Sequence, residues 1–137
     1  MQRTLVLIKP DAVAADVWLD IINIYRKYDL AICKTAIFPK LPNRIVKELY
    51  QEHEGKGFYD ELVSFMQSGP TIALCIVGLN VIALVRAING ATRPDQAAEG
   101  TIRHTYGLTG NGPANVVHGS ANSADAEREL KLIFGEK

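Results

Sequence analysis

His118 is one of three histidines in the chain, and it stands where an apolar run meets a tight turn, in Asn115-Val116-Val117-His118-Gly119-Ser120-Ala121-Asn122. A neutral imidazole offers one nitrogen lone pair as a nucleophile, provided its other nitrogen is held as a donor, ideally by a carboxylate. Glu129, at the end of the helical stretch that follows, is a carboxylate able to fold back onto that ring. Two other readings stand beside this one. A metal ligand needs partners, and His53 and His104 lie at no recognised ligand spacing. A core or turn histidine needs only one backbone hydrogen bond.

Several separated groups suit an anionic substrate. Lys9 follows directly on the apolar run Thr4–Ile8, so it can aim a point charge from a strand end or simply sit in solvent. Arg86 is the only charge in Val81–Ile88, while Thr92 and Arg103 lie in a long polar segment. Guanidinium groups fork onto phosphate oxygens, so the set fits a polyphosphate pocket. Neither GxxxxGK[ST] nor a GxGxxG after a strand is present. Ser120 lies in Gly119-Ser120-Ala121-Asn122, not in a GxSxG elbow, and reads as a turn or cap residue rather than a nucleophile. Phe58 or Tyr59, after a glycine break, either stacks on a base or starts a helix against the core. His53 and His104 fall in polar segments and read as solvated.

These residues need a frame. Thr4–Ile8 reads as a buried strand stopped by Lys9-Pro10-Asp11. Asp16 is placed to cap a helix carrying Val17, Ile21, Ile24 and Tyr28. Leu30–Phe38 has strand character, and helices are expected over Pro42–Glu52 and Phe58–Gln67. Thr71–Val77 is apolar enough for a central strand, and Leu79–Ile88 is helical up to Asn89-Gly90. Asn89–Ala114 has no sustained apolar period; a stretch of that length inside a compact domain is usually functional or disordered. Val116-Val117-His118 is a further strand, a short helix is capped near Asn122 or Ser123, and Leu130–Phe134 is expected as a last strand. The order implies one domain over 1–137: an α+β, ferredoxin-like split βαβ sandwich. Its four-stranded, mainly antiparallel sheet carries helices on one face.

Composition excludes other classes. Lys+Arg and Asp+Glu number 15 each, so no bulk field draws nucleic acid or an anionic membrane. The longest apolar runs are too short to span a bilayer, and the N-terminus does not read as a signal peptide. Cys33 and Cys75 lie in apolar runs at no metal or redox spacing and read as two buried reduced thiols, which suits the cytoplasm.

Five segments in order carry a resemblance: Arg3-Thr4-Leu5-Val6-Leu7-Ile8-Lys9-Pro10-Asp11, Ser68-Gly69-Pro70, Gly90-Ala91-Thr92, Gly100-Thr101-Ile102-Arg103 and Asn115-Val116-Val117-His118-Gly119-Ser120. Over nearly its whole length the chain resembles the nucleoside diphosphate kinases. That implies γ-phosphoryl transfer from a nucleoside triphosphate to a nucleoside diphosphate, by ping-pong kinetics through a phosphohistidine on His118. By position, Lys9, Arg86, Thr92 and Arg103 look like the phosphate ligands, and Asn115 like a sugar contact shared with Lys9. Phe58 looks like the stacking aromatic with Leu62 beside it, Tyr50 like the residue flanking the histidine, Glu129 like its orienting carboxylate, and Ser120 like its hydroxyl neighbour. The resemblance also implies magnesium held mainly by the nucleotide phosphates rather than by a protein cage, and homo-oligomers in which dimers build tetramers or hexamers.

The chain departs from the family pattern at Ala12 (usually glycine), Ala15 (usually arginine) and Ala121-Asn122 (usually Asp-Ser). Thr105–Ala114 also looks slightly long, which leaves a second base-packing residue unplaced. Two alternatives differ in class. A non-catalytic nucleotide- or nucleic-acid-binding module on the same sandwich is disfavoured by the absence of aromatics in Thr4–Ile8 and Thr71–Val77 and by the net charge of +0. A serine hydrolase would use Ser120.

Overall fold

The computed structural model describes residues 1–107 and 112–136. Its strands are β1 (Gln2–Ile8), β2 (Ala31–Phe38), β3 (Thr71–Gly78) and β4 (Val117–Gly119). Its α-helices are α1 (Pro10–Ala14), α2 (Trp18–Lys27), α3 (Asn43–Leu49), α4 (Tyr59–Met66), α5 (Val81–Asn89), α6 (Ile102–Tyr106) and α7 (Ser123–Phe134). The sheet runs β2-β3-β1-β4 with every pairing antiparallel. This is the expected split βαβ sandwich.

β1 and β3 form the centre because they are apolar at successive positions rather than alternating ones. Val6, Ile8, Ile72, Leu74 and Ile76 face Ile21 and Tyr25 of α2 and Val81, Val85 and Ile88 of α5. Leu5, Leu7, Ala73 and Cys75 face Val46 and Leu49 of α3, Leu62 and Met66 of α4, and Leu130 and Ile133 of α7. Helices therefore cover both faces, not the one face expected. Each buried Leu or Ile side chain contributes about 1.5–3 kcal/mol, so both layers are needed to hide this sheet.

Other local expectations change for identifiable reasons. Leu130–Phe134 is the end of α7, not a strand. Its buried positions Ala126, Glu129, Leu130 and Ile133 repeat at helical spacing, which only the longer window reveals. Asp16 does not cap α2. It adopts φ 59° between α1 and α2, leaving Val17 as N-cap with no side-chain bond. Asp tolerates that left-handed conformation better than most residues. The loop after α5 contains α6, whose Thr101 cap accepts from the His104 N–H; five residues burying only Ile102 leave no apolar period to read. Pro10 occupies the first turn of α1, a position that needs no backbone N–H. Cys75 is buried but Cys33 is exposed.

Candidate active site

β4 is short, and its register places the histidine. Val117 faces Ile8, His118 faces Leu7 and Gly119 faces Val6. His118 thus shares with Leu7 the sheet face covered by α7. Gly119 lets α5 come close: a Cβ there would lie 2.9 Å from Asn89 Nδ2. Asn89 is itself fixed by the buried Tyr25 hydroxyl, which donates to its Oδ1 at 2.5 Å.

Glu129 closes a connected set around the ring. His118 Nε2 lies 2.9 Å from Glu129 Oε1, and the Ser120 hydroxyl donates to the same oxygen at 2.7 Å. Burial pushes the Glu129 carboxyl up, but bonding to His118, the His118 charge, the Ser120 hydroxyl and Arg128 outweigh it and hold it below the usual range. An ionised carboxylate only accepts, so Nε2 carries the proton and Nδ1 keeps the free lone pair. Ser120 Oγ also accepts the Leu5 N–H at 3.1 Å and is fully buried. Its hydroxyl addresses a carboxylate rather than an imidazole base, which removes the serine-nucleophile reading. Tyr50 flanks His118 edge-on, with ring centroids 6.3 Å apart.

At the same end of the sheet the cations gather. Lys9 Nζ donates to Asn115 Oδ1 at 2.6 Å and to the Pro113 carbonyl at 3.2 Å. Burial, with Arg103 nearby, pulls the Lys9 amine down to about 7. Arg103 donates to the carbonyls of Asn115, Gly90 and Val117, leaving two of its five N–H groups for a ligand. Burial and the neighbouring Arg86 pull Arg103 below its ordinary value. Positive charge crowded and desolvated in this way is stabilised when an anion enters. Arg86 and Thr92 are exposed on the cleft rim, and the Thr92 carbonyl accepts from Asn115 Nδ2 at 2.9 Å.

Two contributors were not foreseen. Val116, the residue before β4, adopts φ 79°, a strained conformation for a β-branched side chain. Asp11 Oδ2 holds it by accepting the Val116 N–H at 3.0 Å, and the Lys9 N–H donates to the Val116 carbonyl at 2.9 Å. Burial raises the Asp11 carboxyl despite the Lys9 charge, and its Oδ1 is buried with no hydrogen-bond partner among the described residues. Valine gives no sequence signal for positive φ, so this device was invisible. The second contributor is His53, read as solvated. It stacks on Tyr50 at 6.5 Å, tilts against Phe58 at 5.1 Å and lines the cleft. An i,i+3 pairing of Tyr50 and His53 was the available hint.

The cleft has a volume of about 920 Å³, within the range of small-molecule sites. It is lined by all the expected ligands: Lys9, Tyr50, Phe58, Leu62, Arg86, Thr92, Arg103, Asn115, His118 and Glu129. Ser120 lies behind its wall, bonded to Glu129. Phe58 is 48% exposed at the start of α4, with Lys56 Nζ 5.9 Å from its ring centroid. The departure at Asn122 resolves locally: Asn122 Oδ1 accepts the Asp125 N–H at 2.8 Å and caps α7 as the usual serine would, while Ala121, in place of the usual aspartate, lines the cleft. Ala12 is buried in the core and Ala15 is exposed at the end of α1. Of the segment expected to hold a second base-packing residue, 108–111 lies outside the described residues. Among the described residues no three His, Cys, Asp or Glu side chains are grouped to hold a metal ion, and no helix is long and apolar enough to cross a membrane.

Comparison with known proteins gives a consistent result. The family model for nucleoside diphosphate kinase matches residues 2–137. A nucleoside diphosphate kinase of Streptomyces avermitilis is 46% identical over 134 residues, covering 97% of this chain and 96% of that protein. The apo crystal structure of the Encephalitozoon cuniculi enzyme superimposes with a TM-score of 0.95 at 31% identity, over 99% of this chain and 90% of that one. The Halobacterium salinarum enzyme, solved with CDP, gives 0.91 at 37% identity, over 98% and 88%.

Proposed function

The chain belongs to the nucleoside diphosphate kinase family, and on that footing we propose which of its residues carry the family's reaction. The enzyme is a phosphotransferase that moves the γ-phosphoryl group of a nucleoside triphosphate to a nucleoside diphosphate, by ping-pong transfer through a phosphohistidine. His118 is that histidine, and one 137-residue domain carries the whole cycle. The observation supporting this is the 2.9 Å contact of its Nε2 with a buried, ionised Glu129, which leaves Nδ1 as the nucleophile in a cleft rich in cations.

His118 Nδ1 attacks the γ-phosphorus as the bond to the β,γ-bridging oxygen breaks, and the diphosphate leaves with that electron pair. Glu129 stabilises the positive ring that results. A second diphosphate then attacks the phosphohistidine along the reverse path. Little covalent assistance is needed, so charge neutralisation and alignment carry the rate. Lys9, Arg86, Arg103 and the Thr92 hydroxyl hold the phosphates. Asn115, fixed by Lys9 and by the Thr92 carbonyl, meets the sugar, and Phe58 with Leu62 packs on the base. The Halobacterium salinarum relative binds CDP, and we assign the same class of ligand to this cleft. The divalent cation arrives with the nucleotide; magnesium on its phosphates is the ion proposed. Assembly into a dimer-based tetramer or hexamer is supported by the exposed apolar side chains Leu19, Tyr28, Ile37 and Leu79. The cytoplasm is the compartment proposed, and neither membrane nor specific nucleic acid is expected as a partner. The central strands β1 and β3 lie under helices on both faces, so they present no open aromatic surface to stack nucleic-acid bases.

The test is incubation with γ-labelled ATP and magnesium without an acceptor. The expected product is an acid-labile phosphoprotein that transfers its label to any added nucleoside diphosphate. Equal labelling of His118→Ala would refute the assignment.

A further inference from the structure

Two histidines line the cleft, and the proposed reaction uses only His118. The place of the other, His53, follows from the backbone. Directly after α3 the chain makes one 3₁₀ turn over Gln51–His53, in which the His53 N–H donates to the Tyr50 carbonyl at 2.9 Å. Side chains three residues apart in such a turn lie one above the other, so His53 lands on Tyr50. The two ring planes are 26° apart and their centroids 6.5 Å. Tyr50 is buried, which makes it a fixed support for the ring above it. Two more turns lead to the head of α4. The Lys56 N–H donates to the His53 carbonyl at 3.0 Å, and the Tyr59 N–H donates to the Lys56 carbonyl at 3.1 Å.

The imidazole is approached at both nitrogens. Lys56 Nζ lies 3.3 Å from Nδ1, and an ammonium only donates, so Nδ1 accepts and the proton of the neutral ring is on Nε2. Nε2 faces Glu52 Oε1 at 3.6 Å. The ring so placed meets Phe58 at a centroid distance of 5.1 Å and an interplanar angle of 58°, a tilted contact that ring quadrupoles favour over a flat sandwich. Phe58 has little else to hold it. It is half exposed and belongs to neither core cluster. The chain before it passes through Gly55 and Gly57, where an added Cβ would meet nothing within 4 Å.

We propose that His53 is a positioning residue for the nucleotide base: it braces the Phe58 ring against Tyr50 in the orientation on which a base stacks. This rests on the reading of Phe58 as the stacking aromatic. An exposed phenylalanine left unsupported has rotamer freedom to lose when a base arrives. A ring already held loses less, so the brace raises affinity. His53 acts on binding and not on the phosphoryl step, because its ring contacts are with Tyr50 and Phe58 rather than with His118 or the groups that hold phosphate.

The experiment measures steady-state phosphoryl exchange by the full chain, with inorganic pyrophosphate as a competitor that has phosphates and no base. His53→Ala is expected to raise the KM for nucleoside diphosphates about threefold, with kcat and pyrophosphate inhibition unchanged. His53→Phe, which keeps a flat ring and loses both nitrogens, restores most of the KM. His53→Gln, which keeps polar atoms and no ring, does not. Added to Phe58→Ala, His53→Ala raises KM no further than Phe58→Ala alone, because the brace then has nothing to hold. A KM rise that adds to that of Phe58→Ala, an equal weakening of pyrophosphate inhibition, a fall in kcat, or rescue by glutamine rather than phenylalanine would each overturn the proposal. If Phe58→Ala itself leaves KM unchanged, the stacking reading falls and this one with it. If Phe58→Ala raises KM and His53→Ala does not, the brace alone is overturned.

Discussion

Lys9, Arg103, Asn115, His118 and Glu129 line one side of the cleft, held by hydrogen bonds among themselves, to neighbouring carbonyls and, behind them, by Asp11 on the Val116 N–H. On the other side, Phe58 is 48% exposed and meets His53 only through ring contacts. The first wall is built for charge and direction, with partners aimed at oxygens and at one nitrogen. The second offers a flat apolar face that distinguishes little between bases. On the proposed roles, phosphoryl exchange between nucleotides draws on this asymmetry: precision at the group that reacts, tolerance at the base.

Glu129→Gln strikes the first wall hardest. It removes the carboxylate that fixes the imidazole tautomer, and kcat is expected to fall about 10–100-fold with KM little changed. Steady-state kinetics at saturating nucleotide check this, and an unchanged kcat would separate Glu129 from catalysis. Asp11→Ala comes next. It leaves the Val116 N–H without its acceptor and the strained φ unsupported, so a loss of about 1–3 kcal/mol in stability is expected, with a lower kcat. Asp11→Asn retains an acceptor oxygen and recovers most of both. Denaturant unfolding beside activity measures it, and an Asp11→Ala protein of native stability and kcat would show that Val116 needs no restraint.

Phe58→Ala tests the second wall. KM is expected to rise about tenfold, by a similar factor for purine and pyrimidine nucleotides, at constant kcat. A loss confined to one base would overturn the tolerant-wall reading. The smallest effect concerns protons. Lys9 in the free enzyme loses its charge as pH rises through about 7, and bound phosphates restore it. Diphosphate binding at pH 8, where the nucleotide phosphates are already ionised, is therefore expected to take up a proton, and affinity should decline as pH rises further. Calorimetry in buffers of different ionisation enthalpy reads that uptake directly; none at pH 8 would mean Lys9 is already charged before binding.

Much of this was open to reading in the chain itself. The apolar runs Thr4–Ile8 and Thr71–Val77 specified central strands, because a strand buried on both faces needs no alternation. Lys9, Arg86, Thr92, Arg103 and His118 were recognisable by type and position, since charge and lone pairs belong to the side chain wherever it sits. What folding alone decided was which of those groups meet, and how. The β1–β4 register set His118 opposite Leu7 beneath α7, and the left-handed Val116 before it was paid for by Asp11. Local sequence fixes periodicity and chemical type. Strain, tautomer and contact across dozens of residues depend on long-range packing, and no window of neighbouring residues contains them.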